Sequence, residues 1–232
     1  MEKTKPRLAA GMIVHNEADR YLPMVLGDLA TYCDSIVVLD DGSTDGTPQI
    51  CQAFPQVILH RHQENLFWSN ESALRVTLWN LVLAQRPDWI LAIDADEMLE
   101  PRFKQEKIQW LTQQQYPVIS FRIYEFWNSL THYRVDKLWN PQMKITPMLV
   151  RAQPNMVYHW MPQPLHCGRI PMDVGPAYFS GLRCKHLGYA NPEDHRRKYE
   201  MYTRYDPEGQ FSPRAHYESI LDENPVLEPW ED

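Results

Sequence analysis

The chain has 232 residues, 44% of them hydrophobic, and a formal net charge of -7 at neutral pH. That length suits one large domain, or a domain with a C-terminal appendage, with apolar content enough for a sizeable core. The acidic balance argues against a nucleic-acid surface, and no apolar run is long enough to span a membrane or to read as a convincing signal peptide, so the expected location is the cytoplasm.

Leu8 to Val14 is a short apolar run with Gly11 inside it, which predicts a first strand ending in the polar triplet His15-Asn16-Glu17. Ala18 to Tyr32 carries Leu22, Val25, Leu26 and Leu29 at helical spacing. Ser35 to Leu39, β-branched at its centre, predicts a second strand that runs into Asp40-Asp41-Gly42-Ser43-Thr44-Asp45-Gly46-Thr47-Pro48. Thr47-Pro48 reads as a helix cap followed by proline at the first helical position. A short helix to Ala53, a strand over Val57 to His60 and a helix over Ser69 to Gln85 follow.

Trp89 to Ile93 is a further buried strand, and Asp94-Ala95-Asp96-Glu97 comes directly after it. Residues two apart in an extended chain project from the same face, so Asp94 and Asp96 can converge at the carboxyl edge of the sheet. They either cap a turn or hold a hard divalent cation between oxygen ligands. The repeated strand-helix alternation predicts a doubly wound parallel sheet whose strand ends share one side. Glu17, Asp40, Asp41, Asp94 and Asp96 are therefore expected in one acidic crevice, where ligands of such sheets bind.

Beyond the acids, Arg102 to Gln115 predicts a helix and Val118 to Tyr124 a strand. The following segment is irregular, aromatic and rich in proline, as a substrate-shaping loop is. Met143 to Val150 predicts an antiparallel strand and Leu182 to Leu187 another, which leads into His186. Asn191-Pro192-Glu193-Asp194 has the chemistry of a helix start, and the acidic tail is expected to be irregular or to hold a short helix around Tyr217. Cys33, Cys51, Cys167 and Cys184 show no paired spacing, so reduced structural thiols are expected.

Three stretches in order, Val14-His15-Asn16-Glu17, the Asp40 to Thr47 segment and Asp94-Ala95-Asp96-Glu97, resemble the motifs of family 2 glycosyltransferases with the GT-A fold. The resemblance covers residues 8 to 124 well and the C-terminal half loosely. It implies a single GT-A domain, with about residues 1–124 binding a nucleotide sugar and about 125–232 forming the acceptor side. Its implied activity is metal-dependent, inverting transfer of a sugar from a UDP- or dTDP-sugar to a hydroxyl of a glycan or small-molecule acceptor, in polysaccharide or glycan synthesis.

By motif position Val14, Asn16, Glu17, Asp40 and Asp41 would contact the nucleoside, while Asp94, Ala95 and Asp96 would serve diphosphate, metal and sugar. His186 matches a third metal ligand, the alternative being a histidine satisfied within its loop, and Mn²⁺ or Mg²⁺ is the implied ion. Arg75, Arg196 or Lys198 could reach the diphosphate, although a solvated helix face is the favoured reading for all three. The general base is assigned to Asp173, with His166 as runner-up. Trp127, Trp139 and Trp160 belong either to the core or to a sugar-stacking wall. A nucleotidyltransferase would instead show a glycine-rich basic loop after the first strand, which His15-Asn16-Glu17-Ala18 is not. A non-catalytic nucleotide-sugar binder would not need a leaving-group metal.

Overall fold

The computed structural model describes residues 5–153, 155–161, 167–210 and 212–232, apart from the side chain of Trp68. The expected alternation forms the first half: β1 (Leu8–Val14), α1 (Leu22–Leu29), β2 (Ser35–Asp41), α2 (Thr47–Gln52), β3 (Val57–His62), α3 (Phe67–Leu83) and β4 (Trp89–Ala92). The second half adds β5 (Glu97–Leu99), α4 (Pro101–Thr112), β6 (Val118–Trp127), β7 (His132–Arg134), β8 (Ile145–Arg151), β9 (Ala177–Tyr189), α5 (Glu193–Tyr205), α6 (Arg214–Glu218) and β10 (Leu227–Pro229).

One sheet takes strands from both halves, in the order β10-β7-β6-β8-β4-β1-β2-β3, with β9 linking β6 to β5 off this path. β3, β2, β1 and β4 are parallel to one another, and β8 runs antiparallel between β4 and β6. The strands alternate their side chains between two apolar layers. Leu8, Ala10, Met12 and Val14 of β1 pack with Leu22, Val25, Leu26 and Leu29 of α1 and Phe103 of α4. Ala9, on the opposite face, packs with Leu74, Leu78 and Val82 of α3. Burial on both faces is why these strands read as continuous apolar runs. Gly11 is required by the closeness of α3: a Cβ there would meet Val82 Cγ2 at 2.8 Å.

Two local expectations change. Thr47 is the first residue of α2 rather than its cap, and its hydroxyl accepts the Glu17 N–H (2.7 Å). Gly46 is the cap residue, and the Asp45 carboxylate before it accepts the N–H groups of Thr47 and Ala18. α3 begins two residues before Ser69 because the Asp41 carboxylate accepts the N–H groups of Leu66 and Phe67, and Asn70 breaks its first turn. Trp127 and Trp139 lie in an apolar cluster with Tyr189, Tyr217 and Ile220, and Trp160 packs edge-on to Trp79. All four cysteines are unpaired and buried. No described helix is long and apolar enough to cross a membrane.

Candidate active site

The carboxyl ends of β1, β2 and β4 open into a cavity of about 600 Å³. Val14, Glu17, Asp41, Arg75, Asp94, Ala95, Asp96 and His186 all line it, so most of the residues singled out in the sequence come together. His186 reaches Asp96 through strand pairing: β5 runs antiparallel to β9 with Glu97 opposite His186, and the Leu187 N–H donates to the Asp96 carbonyl. The result sets His186 Nε2 3.4 Å from Asp96 Oδ2. On its other side the imidazole Nδ1 bonds Glu125 Oε2, on β6, which is buried at 4% exposure. A carboxylate behind a histidine fixes which nitrogen faces forward.

Asn16 and Asp40 are placed differently from the expectation. Asn16, at φ 54°, accepts the Thr44 N–H and gives its own N–H to Ser43, tying the loop after β1 to the loop after β2. Asp40 is fully buried and points to the opposite face of β2 from Asp41, as adjacent strand residues must. There it accepts the Ser43 N–H and pairs with Arg61 (2.8 Å). Asp41 borders the cavity, but its oxygens are taken by the first N–H groups of α3. Asp173 lies outside the cavity lining, its carboxylate bonded to the backbone and ring of His159 (3.2 and 2.5 Å). His166 lies outside the described residues.

The crevice is also not the acidic one expected. Among the described residues five acids line it, Glu17, Asp41, Glu71, Asp94 and Asp96, and so do five cations, Arg20, Arg75, Arg169, Arg197 and Lys198. Arg169 donates to both oxygens of Glu97 (2.5 and 3.0 Å) and reaches Asp94 at 3.3 Å. Arg75 comes within 3.5 Å of the other Asp94 oxygen, so a solvated face is the wrong reading for it. Lys198, 8% exposed, lies 3.8 Å from Asp96 and is likewise turned inward. Arg196 does not line the cavity.

These pairings set the protonation states. Burial alone would raise Asp94, but Arg169 and Arg75 outweigh it and hold the carboxyl below its ordinary value. Burial also opposes the charge on Asp96, and there His186, Lys198 and Arg20 prevail, so Asp96 is an anion. Glu17 goes the other way. Burial, helped by the nearby Asp96 charge, pushes it up to about 7 against the pull of Arg20 and Lys198.

Some of the missed residues had a signal. Arg197, Lys198, Met201 and Tyr202 fall on one face of α5, a helical spacing that could have marked an inward side. Arg20 stands three residues from Glu17, at salt-bridge spacing. Arg169 and Glu125 had none, because each acts through a partner far away in the chain.

The donor set suits a small hard cation. Among the described residues no three His, Cys, Asp or Glu side chains are arranged to hold a metal. Asp96 and His186 nevertheless offer one oxygen and one nitrogen, and ions of this class take one or two protein carboxylates and complete their shell with substrate phosphate oxygens. Gly188 supplies the room: a Cβ there would fall 2.7 Å from Asp96 Oδ2, 2.9 Å from His186 Cε1 and 2.2 Å from Lys198 Nζ.

A mostly parallel, doubly wound sheet with a charged cavity at its carboxyl edge and an antiparallel extension beyond it is the GT-A glycosyltransferase fold. The family described as Glycosyl transferase family 2 matches residues 10–161, and the chain belongs to that family. Among solved structures it is similar to S. aureus TarS (residues 1–349), with a TM-score of 0.55 and 17% identity over 93% of this chain and 69% of that one. It is similar also to a mannosyltransferase from Pyrobaculum calidifontis in complex with GDP-Man and Mn²⁺, at TM-score 0.53 and 15% identity over 95% and 71%. An uncharacterized protein of Mycobacterium tuberculosis is 27% identical over 229 residues, 93% of this chain and 54% of its own length. The chain thus spans about half the length of that relative.

Proposed function

We propose that this protein transfers a sugar from a nucleoside-diphosphate sugar, UDP- or dTDP-linked, to a hydroxyl of a glycan or small-molecule acceptor, with inversion at the anomeric carbon. Residues 1–124 form the donor side and residues 125–232 the acceptor side. The observation that carries this reading is the Asp96–His186 pair, backed by Glu125 and set among Arg75, Arg20 and Lys198 in one cavity. Family membership and a fold shared with a mannosyltransferase solved with GDP-Man and Mn²⁺ support it.

Asp96 and His186 would hold the cation, with Asp94 at its flank. A bound Mn²⁺ or Mg²⁺ supplies neutralisation of the departing diphosphate, and an imidazole nitrogen in the donor set favours Mn²⁺. Arg75 and Lys198 are placed to take diphosphate oxygens, since each is a cation already turned toward the cavity. Val14 and Ala95 border the space with small or aliphatic surface against which a nucleoside and sugar can lie.

Transfer requires that the acceptor hydroxyl lose its proton as its oxygen attacks the anomeric carbon from the face opposite the leaving group. Asp173 lies outside the cavity lining, so we assign the base to His166, two residues before Gly168 in the sequence, which lines the cavity. His166→Gln is expected to lower turnover by about a hundredfold, with UDP affinity unchanged, as the loss of one general base does.

The reading is tested by incubating the protein with a panel of nucleotide sugars and Mn²⁺ and measuring nucleoside diphosphate release. Release that disappears in Asp96→Asn, together with metal-dependent UDP binding, is the expected result. Full activity in that variant would remove the metal role, and pyrophosphate formed from a triphosphate and a sugar phosphate would replace the reaction.

A further inference from the structure

Behind His186 lies a second cavity, of about 300 Å³, bordered by Glu125, Lys137, Trp139, Asn140, Met143 and Lys144. Glu125 lines this cavity and His186 lines the first, so the two meet across the hydrogen bond that joins those side chains. Lys144 Nζ pairs with the other Glu125 oxygen. A continuous chain of groups, Lys144, Glu125, His186 and Asp96, therefore runs from one cavity to the other.

The second cavity carries surplus positive charge in a chain whose net charge is -7. Glu125 is its only acid among the described residues, and both of its oxygens are engaged. Lys137 is exposed and has no ion-pair partner among the described residues, and Lys144, half exposed, keeps ammonium hydrogens beyond the one Glu125 takes. The Asn140 side-chain oxygen is consumed by the Gln142 N–H, which leaves its amide group as a donor. Apolar surface in the lining comes from Met143, 83% exposed, and from the edge of Trp139, which is fixed by its indole N–H to Ser219 Oγ (2.8 Å) and stacked on His216. Free donors beside apolar surface suit a ligand with an anionic group on an otherwise uncharged ring. The volume is at the small end for ligand sites and suits a sugar rather than a nucleotide.

We propose that this cavity is an anchoring subsite for the acceptor, which binds an anionic substituent, phosphate or carboxylate, on Lys137 and Lys144. The acceptor is then a charged sugar. This rests on the glycosyl-transfer reading for the word acceptor, but the anion site itself stands or falls on binding alone.

Isothermal titration with glucose 6-phosphate, glucuronate and glucose, each with the protein alone and with protein saturated by UDP and Mn²⁺, tests it. At least one charged sugar should bind about tenfold tighter than glucose, with or without UDP, as one added charge-assisted contact provides. Which of the two wins identifies the group. Lys137→Gln, a change at an exposed position, should remove most of that preference, and Lys144→Gln the remainder. Equal binding of charged and neutral sugars, a preference that survives both substitutions, or displacement of the charged sugar by UDP would overturn the proposal. Titration of UDP and Mn²⁺ alone reads the donor cavity separately: its failure would sink glycosyl transfer and leave the anion site to be judged on the sugars.

Discussion

Single atoms decide this site. The hydrogen that glycine carries in place of a Cβ is what allows Asp96, His186 and Lys198 to approach one another around residue 188. Lys198 Nζ, the end of a flexible side chain, can move aside, whereas Asp96 and His186 are tied by backbone and by Glu125. Gly188→Ala is therefore expected to leave the fold intact and to raise the half-saturating Mn²⁺ concentration for UDP binding by about tenfold, a typical cost of disturbing a metal's surroundings. An unchanged titration would place the cation elsewhere. Asp40 and Asp41 teach the complementary lesson. Their identity is plain in the sequence, but which one faces the cavity depends on the phase of β2, and neither residue type nor spacing reveals that.

Among the elements, the parallel half was legible because each strand and helix is specified by its own neighbours: apolar runs, helical spacing and turn residues. The C-terminal half is specified by pairing over long separations. β5 and β10 have three residues each, too few for a pattern, and β10 includes Pro229, tolerated at its edge position beside β7. β9 pairs with β6 through two register shifts, so its outer residues read as loop. The segment carrying Arg169 is joined to β5 by the guanidinium pairing with Glu97, which is 2% exposed. Arg169→Ala leaves that carboxylate buried without its cation and should cost about 3 kcal/mol of stability, measured by denaturant unfolding. Arg169→Ala with Glu97→Gln in the same chain should recover part of it; a single variant as stable as wild type would show that the pairing is dispensable.

At the scale of the whole molecule, one buried carboxyl couples folding to pH. Glu17 rises from its ordinary 4.5 to about 7 on folding. Between those values the folded state holds a proton that the unfolded state has lost, so this contribution is complete below pH 4.5 and disappears as pH climbs to about 7. Its size is on the order of 2 kcal/mol, given that the side chain is only 14% exposed. Glu17→Gln should flatten the dependence of Tm on pH across that window, and an identical profile in the variant would move the proton to another group.

The five-against-five arrangement of charges around the main cavity reaches further still. A sugar nucleotide carrying two negative charges, escorted by a divalent ion, arrives as a neutral parcel at a door whose own charges nearly cancel. With no net charge on the parcel, the field of a chain whose net charge is -7 has little to act on for dissolved salt to screen, so donor capture should hold nearly constant from dilute buffer to strong brine.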